Sequence, residues 1–188
     1  MDASELPKSD DARFDPADLL KDALAGQTLA AEKSYASSQR YVLVLVESLA
    51  ERYQVIQMLP RDRCVLFGSG FPKDQTATTV HRHINQVKHR MELGHTVVLI
   101  QLDHLYESLY DALNQSYTSC CGHRYVELGL GTSRVKCKVH DDFRLVVICQ
   151  RKEAEDSLPP PLLNRLEKHA LSVSNFDPQI VEEKFQDE

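Results

Sequence analysis

Four runs of apolar residues recur along this chain, separated by more polar segments. They are rich in Val, Leu and Ile and do not alternate with polar residues; they are Tyr41–Val46, Cys64–Phe67, Thr96–Leu102 and Phe143–Cys149. Strands that are buried on both faces have this composition, as in parallel sheets. The pattern therefore predicts four strands of a mainly parallel sheet.

The segments between these runs carry apolar residues at steps of three and four, which indicates helices. In the segment 75–93 the apolar stripe is Val80, Ile84, Val87 and Met91. Gly94 follows at the position of a helix C-cap. In the segment 105–117 the stripe is Leu105, Leu109 and Leu113. Alternating strands and helices predict an α/β fold with right-handed crossovers.

Before the last of the four runs, residues 124–140 form two alternating segments around a glycine-rich turn. This pattern predicts a β-hairpin that is inserted before the last core strand and stands off the sheet. Residues 1–38 are acidic and interrupted by proline and glycine, although Asp15-Pro16 resembles a capped helix start. The predicted organisation is thus an acidic, partly flexible segment 1–38, an α/β module 39–173 and an acidic tail or lid start 174–188.

Composition narrows the function classes. The chain has 188 residues and a net charge of -6, which argues against general nucleic-acid binding. No apolar run approaches the length of a membrane span, and the N-terminus does not resemble a signal peptide. We therefore expect an intracellular protein whose five cysteines stay reduced.

The turn after the first predicted strand does not have the residues of a phosphate-binding loop. Such a loop needs glycines, a lysine and a Ser or Thr, whereas Glu47–Gln54 contains neither glycine nor lysine and places carboxylates there. The segment Gly68–Lys73 is too short and is better explained as a strand-to-helix turn. After the third strand Asp103 is a single acid, and it is predicted to cap a helix that starts at Leu105.

Two Cys-x-x-His pairs bracket the predicted hairpin and leave a metal site open as an alternative. They are Cys120 with His123 and Cys137 with His140. Soft ligands at this spacing hold zinc in some proteins. Against this, Cys137 and His140 point to opposite faces of a regular strand, so reduced cysteines at the base of a hairpin are the other interpretation.

Arg165 is the remaining candidate. It follows Pro159-Pro160-Pro161 and lies in Leu162-Leu163-Asn164-Arg165-Leu166. It is either a surface arginine of a first helical turn or a cation at a ring interface that stabilises a phosphoryl group in transfer.

Longer segments resemble known families. Residues 140–147 resemble the segment that leads into the sensor-1 strand of midasin-type AAA+ modules, and residues 161–166 resemble the box that holds the arginine finger of Clp-type disaggregases. Most specifically, residues 105–115, 125–132 and 163–169 resemble mysterin-type ubiquitin ligases. These are giant RING-type proteins with a ring of AAA+ modules.

The resemblance covers residues 40–173 and implies an AAA+-like three-layer core, with a helical lid beyond residue 170 that is mostly missing. It implies neighbouring AAA modules of the same protein and the ubiquitin machinery as partners. It also implies ATP and magnesium in neighbouring modules, zinc in the RING of the whole protein, and a cytosolic location with association to lipid droplets.

The departures from the family pattern decide what this chain retains. The Walker A position falls on Glu47–Tyr53, the Walker B acidic pair falls on Ile100 and Gln101, and the sensor-1 asparagine falls on Gln150. Asn164 and Arg165 match. The expectation is a non-catalytic ring module without a cofactor of its own, with Arg165 acting in trans beside Asn164 and the sensor-1-like Gln150. The alternative is a stand-alone interaction fragment that binds a partner through the basic strand 134–140.

Overall fold

The computed structural model of the protein describes residues 15–25, 40–69, 71 and 76–172. The strands in these ranges are β1 (Val42–Val46), β2 (Cys64–Phe67), β3 (Thr96–Ile100), β4 (Thr118–Cys120), β5 (His123–Leu130), β6 (Ser133–Val139), β7 (Arg144–Gln150) and β8 (Glu167–Ala170). The α-helices are α1 (Pro16–Ala25), α2 (Leu49–Met58), α3 (Ala77–Leu93), α4 (Tyr110–Leu113), α5 (Arg151–Ser157) and α6 (Pro160–Arg165).

Five strands form a parallel sheet in the order β2-β3-β7-β1-β8. The strand β1 lies between β7 and β8 and places Val42 opposite Val146 of β7 and opposite Glu167 of β8. The four strands that the apolar runs predicted are all present, and they are nearly free of exposed residues along β1, β3 and β7. The α/β class and the mainly parallel sheet are confirmed.

The fifth strand, β8, differs from the prediction that Phe143–Cys149 is the last core strand. The segment Glu167–Ala170 is polar, and three of its four residues are exposed. It is held at the sheet edge by backbone pairing with β1 and by the bond from the Glu167 amide to the Tyr41 carbonyl (2.8 Å). The helix predicted to open with the Leu-Leu-Asn-Arg-Leu segment instead ends at Arg165, and the chain then turns into this strand.

The inserted hairpin is confirmed. Strands β5 and β6 pair antiparallel from Arg124 with Val139 to Leu130 with Ser133. The short strand β4 extends this hairpin into a second, three-stranded sheet. This small sheet packs against α3 and α4, so it is anchored to the core through Val126, Leu128 and Cys137.

The helix α3 follows the predicted apolar stripe. Thr76 caps its N-terminus by accepting a bond from the Thr79 amide, and Gly94 ends it in the left-handed conformation at φ 79°. The segment 105–117 differs, because it forms a 3-10 helix (Asp103–Leu105) and then the single turn of α4. Asp103 lies inside the 3-10 helix and makes no side-chain capping bond, so its predicted role as the cap is wrong.

Apolar side chains cover both faces of the parallel sheet. One face packs with α3, α5, α6 and the small sheet, and the other packs with α1 and α2. Leu20 of α1 is completely buried in the second cluster, together with Val44 and Ile148. The helix that starts at Asp15-Pro16 is therefore part of this core. The predicted tail 174–188 lies outside the described residues, as do residues 1–14 and 26–39.

Candidate functional site

The turn from β1 into α2 is the place where AAA-type folds bind phosphate, and here it is very short. The strand ends at Val46 and the helix begins at Leu49, which leaves only Glu47 and Ser48 between them. Ser48 has extended backbone angles and is the N-cap of α2; its hydroxyl accepts a bond from the Glu51 amide at 3.3 Å. The turn contains no glycine.

The carboxylate of Glu51 closes the turn from the helix side. Its Oε2 accepts hydrogen bonds from the amides of Glu47 (2.5 Å) and Ser48 (3.1 Å), and Glu51 is only 3% exposed. With the Ser48 hydroxyl this completes a capping box. A phosphate at a helix N-terminus would use backbone amides of this kind. In this chain two of them already donate to a carboxylate of the same helix.

A second carboxylate increases the negative charge at the turn. The exposed Glu47 pairs with Arg151 at the start of α5, with 2.6 Å between Glu47 Oε1 and Arg151 Nε. This ion pair neutralises Glu47 in part, and both side chains remain about half exposed to solvent. A phosphate that approached the turn would meet two carboxylates, which repel it.

The end of β3 is apolar where an acidic pair would hold magnesium. Ile100 is completely buried between Phe67 of β2 and Ile148 of β7. Gln101 is exposed and has a positive φ of 54°. Ile100 and Gln101 occupy the two positions of the Walker B acidic pair in the resembled family. Neither side chain is a carboxylate.

The sequence assigned Gly68 to a strand-to-helix turn. In the structure this glycine lies against the backbone at the end of β3. A Cβ added at Gly68 would lie 1.5 Å from the carbonyl oxygen of Gln101, and the Gly68 amide donates to the Ile100 carbonyl at 2.7 Å. Gly68 is thus required by the close approach of two chain segments. This approach accounts for the glycine without a bound phosphate.

Gln150, the sensor-1-like residue, lies beside the turn. It is the last residue of β7, opposite Val46 in the register of β1. It precedes α5 as its N-cap residue without a side-chain capping bond, and it is partly exposed. The amide of Gln150 thus lies at the strand end next to Glu47.

Arg165 lies at the C-terminus of α6 and contacts Tyr110 of α4. Its Nη2 donates to the Tyr110 hydroxyl at 2.7 Å, and its guanidinium stacks over the ring at 4.2 Å from the centroid. The neighbouring Asn164 is exposed, and its backbone carbonyl accepts a hydrogen bond from the Arg40 guanidinium at 3.4 Å. Tyr110 is a residue of this candidate site that the sequence did not indicate.

Arg165 and the β1–α2 turn lie at opposite strand ends of the parallel sheet. One residue, Leu166, separates Arg165 from β8. The strand β8 begins opposite Val42 at the amino end of β1, whereas the turn follows Val46 at the carboxyl end. Strands rise about 3.3 Å per residue, so the length of β1 separates the two sites by on the order of 13 Å. The arginine of this chain therefore does not reach the turn of the same chain.

The four candidate zinc ligands are not brought together. Cys120 and His123 face each other across the β4–β5 turn, but Cys137 is fully buried with its Sγ 3.6 Å from the Met91 sulfur. Burial raises the pKa of the Cys137 thiol to about 12, which disfavours the thiolate that a metal needs. Across the described residues no three His, Cys, Asp or Glu side chains converge as a metal site would require. The zinc alternative would need these four side chains to converge, and in the described structure they lie apart.

Two cationic side chains of the basic strand 134–140 contact residues of the same chain. Arg134 pairs with Asp111 at 2.8 Å and with Glu127 at 3.6 Å. Lys136 lies over the Tyr125 ring, with its Nζ 4.7 Å from the ring centroid.

In the ranges that the structure describes, none of the helices has both the length and the apolar character needed to cross a bilayer.

Comparison with known proteins identifies the fold family. The family model described as the RNF213 AAA domain matches residues 32–176. The chain belongs to this family. It is 44% identical over 181 residues to the human E3 ubiquitin-protein ligase RNF213, covering 89% of the chain. It is 48% identical to the mouse protein of that name over 73% of the chain, and 46% identical to the zebrafish E3 ubiquitin-protein ligase rnf213-beta over 72% of the chain.

The chain spans only a small part of these relatives. The matched region is 3% of the length of each of the three proteins. The mysterin resemblance is confirmed, because RNF213 is mysterin, and the chain corresponds to an AAA module of that ubiquitin ligase.

Proposed function

We propose that this chain is a non-catalytic AAA module of a mysterin-like ubiquitin ligase. It supports assembly of the ring and presents Arg165 to the ATP site of an adjacent module. Its neighbours bind ATP with magnesium, and zinc belongs to the RING of the whole protein. The ring works in the cytosol and associates with lipid droplets.

The closed β1–α2 turn is the observation that carries this proposal. The Glu51 carboxylate accepts bonds from the two amides that precede α2, at 2.5 and 3.1 Å. Ile100 and Gln101 supply no carboxylate for magnesium at the end of β3. These contacts support a P-loop position that has lost its function while the sheet around it is retained.

The role of Arg165 is supported by its place and by its partner. It lies at the strand ends opposite to the turn of its own chain, which favours action across a module boundary. The stack on Tyr110 and the bond to the Tyr110 hydroxyl hold the guanidinium in one direction. An arginine so placed stabilises the charge that develops on a phosphoryl group in transfer.

The test is ATP turnover by the full-length ligase with a substitution in this module. We predict that Arg165→Ala lowers the turnover of the adjacent site on the order of a thousandfold, the loss typical of an arginine finger. Arg165→Lys retains the charge but loses the planar fork, so it restores only part of the rate.

The matched control is Arg61→Ala, which removes an exposed arginine from the loop before β2. Its turnover is expected to equal that of the wild type. Unchanged turnover of Arg165→Ala in a ring that assembles normally would contradict the trans role. A stand-alone interaction fragment, in contrast, would not assemble with the ring at all.

A further inference from the structure

The turn between β4 and β5 places two adjacent thiols at the protein surface. Cys120 pairs with His123, and the two residues between them are Cys121 and Gly122. The Sγ atoms of Cys120 and Cys121 lie 3.7 Å apart, and both residues are exposed. The pair is independent of the β1–α2 turn and of Arg165.

The backbone of this turn does not favour a cysteine. Cys121 and Gly122 have φ values of 51° and 74°, the two positive angles of a type I′ hairpin turn. Asn, Asp and Gly are preferred at the first of these positions, because other L-residues bring Cβ too close to the backbone. A Cβ at Gly122 would meet no atom within 4 Å, so the turn lies in open space. Neither the backbone nor packing therefore accounts for a thiol at Cys121.

Two other cysteines, in contrast to this exposed pair, are buried in the core. Cys137 and Cys149 are buried, and burial raises the pKa of each thiol to about 12. Because the thiolate is the reactive form, these two side chains are protected from oxidants at neutral pH. Cys64 is partly buried and packs against the core. The pair in the turn is consequently the exposed dithiol of the chain.

We propose that Cys120 and Cys121 form a modification site for low-molecular-weight disulfides of the glutathione type, which convert the pair reversibly into a disulfide within the turn. One cysteine loses its proton to solvent, and its thiolate attacks a sulfur of the small disulfide. The small S–S bond breaks and one small thiolate leaves. The other cysteine then attacks the mixed disulfide and releases the second small thiol. Two protein thiols are oxidised, and one small disulfide is reduced to two thiols.

The geometry makes this disulfide reversible. The sulfurs, 3.7 Å apart, have to approach to the bonding distance of about 2.05 Å, which side-chain rotation in an exposed turn allows. Adjacent Cα atoms are only about 3.8 Å apart, closer than the range usual for disulfides, so the ring is strained. Strained and exposed disulfides are reduced more readily than structural ones. The turn therefore responds to changes in the thiol–disulfide balance.

The experiment treats the full 188-residue chain, fully reduced, with oxidised glutathione, quenches it with acid and measures the intact mass. The wild type is expected to lose two hydrogen atoms without retaining glutathione, and peptide mapping should join Cys120 to Cys121. Cys120→Ser and Cys121→Ser are each expected to retain one glutathione. The retained fraction in the wild type should be at least about tenfold lower than in either variant, because the second step is intramolecular.

Excess reduced glutathione should then return the oxidised wild type to the mass of its reduced form, because a strained disulfide is reduced readily. Cys64→Ser is the matched control and should close the turn like the wild type. Cys121→Asn, which suits the positive φ, repeats the Cys121→Ser measurement in a turn of at least equal stability. A wild type that retains glutathione as the single variants do, that forms dimers linked through disulfides, or that resists reduced glutathione would overturn the proposal.

Discussion

The carboxylate of Glu51 makes the contacts that define the β1–α2 turn. It accepts from the amides of Glu47 and Ser48, and the Ser48 hydroxyl accepts from the Glu51 amide in return. Such reciprocal caps stabilise a helix N-terminus and place a negative charge at its positive end. The Glu51 side chain thus caps α2 and occupies the amides that an incoming phosphate would otherwise bind.

Substitution of Glu51 tests this capping role. Glu51→Ala leaves the amides of Glu47 and Ser48 without the carboxylate, so we expect the free energy of unfolding to fall by about 1–2 kcal/mol. Glu51→Gln retains an oxygen acceptor and should lose less. Urea unfolding followed by circular dichroism measures both values. Equal stability of Glu51→Ala and the wild type would show that the cap contributes nothing.

His83 of α3 predicts a pH dependence of stability. It is 8% exposed, and within the described residues its buried Nδ1 has no hydrogen-bond partner. Burial, and then the charges of Arg82 and His104, lower its pKa from the ordinary value of 6.5. The unfolded chain binds a proton at His83 more readily, so the contribution of His83 to stability is complete above pH 6.5 and falls as the pH drops through the folded pKa.

His83→Leu should therefore flatten the decrease in unfolding free energy between pH 7 and pH 5. One proton changes this slope by at most about 1.4 kcal/mol per pH unit. His89→Leu, at an exposed position of the same helix, is the matched control and should retain the wild-type profile. Urea unfolding at several pH values measures the slopes. Equal slopes for His83→Leu and the wild type would contradict the assignment.

At the residue scale the sequence held more information than the turn prediction used. Ser48 and Glu51 have the Ser-x-x-Glu spacing of a capping box, directly before a helix. This signal was sufficient to predict that the amides of the turn are satisfied internally. The stack of Arg165 on Tyr110 had no such signal, because the two residues are 55 positions apart and meet only in the folded chain.

At the scale of elements, apolar runs predicted the buried strands and missed the exposed one. The strands β1, β3 and β7 are buried on both faces, so their composition indicated them directly. The edge strand β8 carries Glu167, Lys168 and His169, and its pairing with β1 uses backbone atoms. Backbone pairing leaves no periodic pattern in side chains, which is why this strand could not be predicted.

The stripe Leu105, Leu109 and Leu113 predicted burial correctly but overestimated the helix. All three side chains are buried, and the amides of Leu109 and Leu113 donate to the carbonyls of Leu105 and Leu109. Between them the backbone forms a 3-10 helix and turns. Spacing by four fixes which side chains face the core, whereas continuous helical bonding depends on the packing around the small sheet.

We predict that the helix α1 belongs to the cooperatively folded core. Leu20 is completely buried among residues of the parallel sheet, so Leu20→Ala should lower the unfolding free energy by about 2–5 kcal/mol. The neighbouring Leu19 is 44% exposed, and Leu19→Ala is the matched control with a loss below about 1 kcal/mol. Thermal unfolding of the two variants gives the comparison. Losses of equal size would place α1 outside the cooperative core.

At the scale of the whole molecule, the two candidate sites lie at opposite strand ends of one sheet. The closed turn follows the carboxyl end of β1, and Arg165 precedes β8 at the amino end. This separation is what the proposed trans role of Arg165 requires. Sequence resemblance could place Arg165 and Gln150, but only the fold shows the separation between the arginine and the turn.

Nucleotide binding by the purified 188-residue chain tests the central claim most directly. The measurement is equilibrium binding of labelled ATP with and without magnesium, at concentrations that saturate ordinary AAA sites. The account predicts no saturable binding, because the Glu51 carboxylate already accepts from the amides of the turn. Saturable binding that requires magnesium would contradict it.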